Sequence, residues 1–85
     1  MQENKILVIL NVPEIDEVFD LYIPVNRKVG NIIELLKKLI DDVTDNSYEM
    51  TDSVCLYSKQ TGLKYDNNCL VYDTDIRNGS GLILM

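Results

Sequence analysis

The stretch Val29–Val43, VGNIIELLKKLIDDV, constrains the fold of this 85-residue chain more than any other. At a helical step, Val29, Ile32, Ile33, Leu36, Leu39, Ile40 and Val43 fall within an arc of roughly 120°. Asn31, Glu34, Lys37, Lys38, Asp41 and Asp42 fall on the opposite side, with Leu35 at the boundary. A strand alternation produces no such partition. Asn26 is placed to cap the start of this helix, and Glu34 and Lys38 form an i, i+4 pair. Asp41 and Asp42 oppose the negative end of the helix dipole, which predicts a frayed last turn. A one-sided helix of about four turns is not stable alone in water. Whatever covers its apolar stripe defines the fold.

The length allows one core, and we expect a single domain over residues 1–85. Fourteen acidic and eight basic residues give a net charge of −6 with no basic cluster, which argues against nucleic acid or an anionic membrane surface as a direct partner. No apolar run reaches the ~18 residues of a membrane span. Asn11, Pro13 and Glu14 interrupt the only early apolar run, so no secretion signal is evident and a cytoplasmic location is expected. Cys55 and Cys69 are widely separated, and with no histidine in the chain a zinc site is not expected.

The first strand is expected at Lys5–Val12 (KILVILNV), apolar on both faces like a central strand. Pro13 closes it. Val18–Ile23 follows with Phe19, Leu21 and Ile23 on one side and Asp20 and Tyr22 on the other, so the two strands form an antiparallel hairpin. After the helix, residues 44–53 read as a polar loop, with Tyr48 and Met50 candidates to tuck beneath it. Val54–Tyr57 is a short third strand, Lys59–Gly62 a tight turn and Leu63–Tyr65 a brief fourth strand. Residues 66–68 turn again. Leu70–Ile76 predicts a 3-10 turn with Leu70 or Val71 and Ile76 pointing inward. Asn78-Gly79 then leads into a last strand, Leu82–Met85.

The expected class is α+β, with the order ββαββ, a 3-10 turn, then β: a mixed sheet of four to five strands packed on one helix. The two terminal strands are the most apolar, which places them side by side and parallel at the sheet centre, with the helix in the crossover between them. That is the β-grasp architecture. Ile6, Val8, Leu10, the helix stripe, Leu56, Leu70, Ile76, Leu82 and Leu84 form the expected core.

The ending DTDIRNGSGLILM resembles that of ubiquitin-like proteins, with Asp73, Ile76, Gly79, Leu82 and Leu84 at the matching positions. With the run Val18-Phe19-Asp20-Leu21, the chain is most similar to the YukD/EsaB family of ubiquitin-like proteins associated with type VII (WXG100) secretion. That resemblance implies a non-enzymatic adaptor or accessory protein whose partner is a cytosolic component of a secretion system. The alternative is a ubiquitin-like or sulfur-carrier protein activated at its C-terminus. Such carriers end in Gly-Gly, whereas this sequence ends at Met85, inside its last expected strand.

No catalytic residue, cofactor site or metal site is expected. Without histidine the chain has no side chain that ordinarily titrates near neutral pH. Asp41 with Asp42 and Asp73 with Asp75 are the close carboxylate pairs, and both read as solvated or turn-capping acids. What remains is surface. If Val8 and Leu10 face the helix, then Leu7, Ile9, Ile83 and Met85 face away from it, joined by Cys55 and Tyr57 flanking Leu56. A contiguous apolar patch of this kind marks a protein-docking face. The competing readings are cover by neighbouring side chains, a homodimer contact, or a register shifted by one residue, which would exchange the two faces.

Overall fold

Lys5–Val12 forms β1, followed by a 3-10 turn at Pro13–Ile15 and by β2 at Glu17–Pro24. These elements come from a computed structural model that describes residues 4–45 and 53–85. The turn closes on Asp16, whose positive φ of 53° suits a short polar side chain and whose N–H donates to the Pro13 carbonyl. The helix α1 spans Val29–Val43, β3 is Leu56–Ser58, a second 3-10 turn covers Val71–Asp73, and β4 is Ser80–Leu84. The strands form one mixed sheet in the order β2-β1-β4-β3, antiparallel except for the central parallel pair β1·β4. With one α-helix and two 3-10 turns among the described residues, this is the ubiquitin-like β-grasp fold.

Alternation along the strands sorts the side chains. Val8, Leu10 and Val12 of β1, Leu82 and Leu84 of β4, Leu56 of β3 and Ile23 of β2 are buried together with Val29, Ile32, Ile33, Leu36 and Ile40 of α1. Val71 and Ile76 fill the end of the core under the second 3-10 turn. Each large side chain buried in this way contributes ~1.5–3 kcal/mol.

The structure differs from the sequence expectations at several element ends. β2 is longer than expected, and β4 begins at Ser80 rather than Leu82. β3 begins at Leu56 rather than Val54, although Cys55 and Met85 exchange hydrogen bonds of 2.8 and 3.1 Å that prolong its pairing. The expected fourth strand at Leu63–Tyr65 is reduced to a single bridge between Tyr57 and Lys64. Val71 rather than Leu70 enters the core, because the 3-10 turn starts one residue after Leu70. On the helix, Val43 is exposed and Leu39 half-buried, so the buried stripe ends at Ile40. Ile6 is only half-buried. Glu34 pairs with Lys37, at 3.6 Å, rather than with Lys38. The last turn is closed by Thr44, whose hydroxyl and N–H both donate to the Ile40 carbonyl, at 2.7 and 3.0 Å. The expectation for Tyr48 and Met50 lies outside the described residues.

The helix start is the most consequential difference. Lys28, not Asn26, occupies the cap position, and its side chain makes no capping bond. The first amides are instead met by another part of the chain: Val29 N–H donates to the Cys69 carbonyl at 2.8 Å and Gly30 N–H to the Asn67 carbonyl at 3.0 Å. A long-range turn does the work of a local cap.

Two substitutions test this packing by urea denaturation. Ile32→Ala, which empties a site with no solvent exposure, should cost about 2–5 kcal/mol. Gly30→Ala should cost about 1 kcal/mol. Its Cβ would sit 3.3 Å from the Asn67 carbonyl oxygen and 3.4 Å from the Asn67 Cβ. An alanine in an unobstructed helix gains up to about 1 kcal/mol over glycine. A gain at Gly30 would therefore show that the turn yields freely and does not clamp the helix.

Candidate functional site

Among the described residues, the helix covers one face of the sheet and nothing covers the other. With Val8, Leu10, Leu82 and Leu84 buried beneath α1, the intervening residues stand on the outer face. The strand registers arrange them in rows. Tyr22 lies beside Leu7. Asp20, Ile9 and Gly81 make the next row, ending at Lys59, whose N–H donates to the Gly81 carbonyl. Val18, Asn11, Ile83 and Tyr57 make the third, and Met85 with Cys55 the fourth.

All six residues expected on this face (Leu7, Ile9, Cys55, Tyr57, Ile83 and Met85) lie on it. Leu7, Cys55, Tyr57 and Ile83 are half-buried, while Ile9 is 36% and Met85 49% exposed. The edge strand β2 adds Val18, 58% exposed, and Tyr22, 67% exposed. The alternation of β2 had already put Tyr22 on the side away from Phe19, but only the β1·β2 register sets it and Val18 beside Leu7 and Asn11.

Two features of the face were not evident in the sequence. Asn11 interrupts the apolar rows, yet its amide donates to the Leu82 carbonyl at 3.2 Å, which satisfies one of its donors within the sheet. Gly81 makes a flat place between Ile9 and Lys59, and the aliphatic stem of Lys59 lies over it. A Cβ at Gly81 would meet the Lys59 Cβ and Cδ at 3.3 Å. The lysine thereby covers the sheet with its stem. Register and alternation also put Lys5 and Lys64 on this side, Lys64 through its bridge to Tyr57. A chain of net charge −6 thus sets three lysines around its open apolar face, with Asp20 on the β2 side.

Chemistry elsewhere is sparse. Among the described residues no group of three or more Cys, Asp or Glu could hold a metal ion, and no helix is long and apolar enough to cross a membrane. Cys55 and Cys69 are free thiols. Asp75 accepts a 2.7 Å hydrogen bond from the Tyr65 hydroxyl, tying the bridge segment to the loop before β4. Burial raises the Tyr65 phenol above its ordinary value of 10.0; donation to Asp75 and that carboxylate's charge raise it further, against an opposing hydrogen bond with Ser58. This pair acts as a brace between two irregular segments.

No family model matches the sequence, and no curated protein matches it. Solved structures do match its fold. The EccD5 ubiquitin-like domain from Mycobacterium xenopi superposes with a TM-score of 0.78 at 12% identity, covering 98% of this chain and 94% of that domain. A chain of the MycP5-free ESX-5 inner membrane complex gives 0.79 at 12% identity, with 98% of this chain matching 21% of that one. The N-terminal ubiquitin-like domain of the 4931431F19Rik protein gives 0.75 at 15% identity, over 99% of this chain and 76% of that one. The fold also recurs in a toluene 4-monooxygenase complex at 6% identity. At these identities the likeness establishes the ubiquitin-like fold alone.

The Tyr65–Asp75 brace has a pH signature. The folded protein holds the phenolic proton more tightly than the unfolded chain does, so this contribution to stability is complete below pH 10.0 and lost as pH rises through the folded value. Tyr65→Phe should cost about 1 kcal/mol at neutral pH. It should also flatten the fall in stability under alkaline conditions, read as urea midpoints across the alkaline range. An unchanged alkaline limb in the variant would mean that Tyr65 does not contribute to it.

Proposed function

We propose that this protein is a non-enzymatic ubiquitin-like adaptor or accessory protein of a bacterial type VII secretion system, similar to the YukD/EsaB family and acting in the cytoplasm. The observation that carries the reading is the open sheet face, where Leu7, Ile9, Tyr57 and Ile83 form an apolar surface continued by Val18, Tyr22, Cys55 and Met85. An apolar patch rimmed by polar groups is the usual form of a protein-docking site. The fold it shares with the EccD5 domain and the ESX-5 complex chain supports a secretion-system partner. The ending that resembles ubiquitin-like proteins and the absence of histidine from the sequence support an adaptor rather than an enzyme. Lys5, Lys59 and Lys64 around the face match a partner whose apolar contact surface is bordered by acidic residues.

Ile9 is the residue to change, because it sits in the middle of the rows and is not part of the core. Ile9→Glu should leave the protein folded, at a cost of about 1 kcal/mol. It should abolish recovery of a secretion-system component that the wild-type protein captures from native extract. Recovery of the same component by wild type and variant alike would remove the open face from the interaction. An unfolded variant would mean that Ile9 belongs to the core. Covalent attachment of the bait to another protein, seen by intact mass, would replace docking with conjugation.

A further inference from the structure

β2 and β3 are the two edge strands of the sheet, and β2 is the longer. Its register with β1, together with the 2.7 Å bond from Val25 N–H to the Asn4 carbonyl, puts Glu17, Phe19, Leu21 and Ile23 in the hydrogen-bonded pairs with β1. The peptide groups of Val18, Asp20 and Tyr22 therefore turn outward, and among the described residues no backbone partner meets them. No proline interrupts β2 before Pro24. An uninterrupted row of outward N–H and C=O groups is a template for another strand. The side chains of the same three residues stand on the open face, so the edge presents one exposed apolar group on each side of a carboxylate.

That carboxylate selects the occupant. In the register that matches all three outward residues of a second, antiparallel copy, Val18 would face Tyr22 and Asp20 would face Asp20, and like charges directly opposite are destabilising. A cation in the central position converts the repulsion into an attraction while keeping the apolar pairs. We propose that the free edge of β2 pairs with an extended segment of a partner protein that carries lysine or arginine opposite Asp20 and apolar residues two positions to either side. This site goes beyond the docking face proposed above: it uses the backbone edge and does not depend on which partner occupies the Ile9–Ile83 rows.

The probe is a synthetic peptide with the β2 sequence Glu17–Pro24 carrying the Asp20→Lys change, compared with the unchanged peptide. The readout is amide hydrogen exchange of the wild-type protein. The lysine peptide should protect the amides of Val18, Asp20 and Tyr22, and the unchanged peptide should bind about tenfold more weakly. The Asp20→Lys protein should reverse that preference, and Ile9→Glu should retain peptide binding, so failure of the open-face reading is separable from failure of this one. Absence of added protection at the three amides, equal affinity for both peptides, or changes confined to the surroundings of Ile9 and Ile83 would overturn the proposal. Wild-type dimers paired through β2 would overturn it as well, by making a second copy the occupant.

Discussion

The parallel pairing of β1 with β4 holds the first and last strands of the chain together, with Leu10 opposite Leu82. Parallel neighbours cannot be joined by a tight turn, so the chain between them must make a crossover. Here the crossover carries α1, which buries its stripe against the same face of the two strands. The hairpin partner β2 and the short β3 then complete the sheet on either side. Because a single helix covers a single face, β1 is left apolar on a side that nothing else in the described structure covers. The docking proposal follows from that imbalance between a central strand's composition and a one-sided cover.

Residues 59–79 contain little regular structure, yet they set the register of β4 and therefore of the outer rows. They are held by specific hydrogen bonds and by Val71 and Ile76, which are buried in the core. The Tyr65 N–H donates to the Leu56 carbonyl, and its hydroxyl reaches Asp75. Arg77 donates to the Thr74 and Ile76 carbonyls at 2.6 and 2.8 Å. Asn78 completes the sheet where backbone pairing runs out: its side-chain oxygen accepts from Leu7 N–H at 2.9 Å, beside Gly79 with its φ of 90°. The same loop region supplies the carbonyls of Asn67 and Cys69 that receive the first amides of α1. Fold and outer face are thus coupled through one irregular segment.

The outer surface has a direction. Lysines border the β3 side and the start of β1, Asp20 marks the free edge of β2, and apolar side chains fill the middle. Exposed charges of this kind add little stability; under the docking proposal they bias which partner approaches and in what orientation. Face and edge meet at β2, where Val18, Asp20 and Tyr22 turn their side chains to the open face and their backbone groups to the free edge.

The helix was legible because a period of 3.6 written over fifteen residues has no strand alternative, and its bounds in the structure are those expected. β1 and the inward alternation of β2 were legible for the same reason, as was the placing of Leu7, Ile9, Cys55, Tyr57, Ile83 and Met85 on the sheet face away from the helix. The short elements were not. Leu63–Tyr65 is too brief for alternation to separate a strand from a single bridge, and Leu70 and Val71 differ only in where a 3-10 turn begins. Asn26 was a reasonable cap by local chemistry, but the amides were claimed by carbonyls about forty residues later, a competition that no local pattern records. Local periodicity by itself determined which side of each long element is apolar, because side-chain direction repeats with the backbone. Only tertiary structure decided what lies opposite what: Gly81 beneath Lys59, Val18 beside Asn11, and the outward peptide groups around Asp20, since these depend on strand register and on which strand is left at the edge.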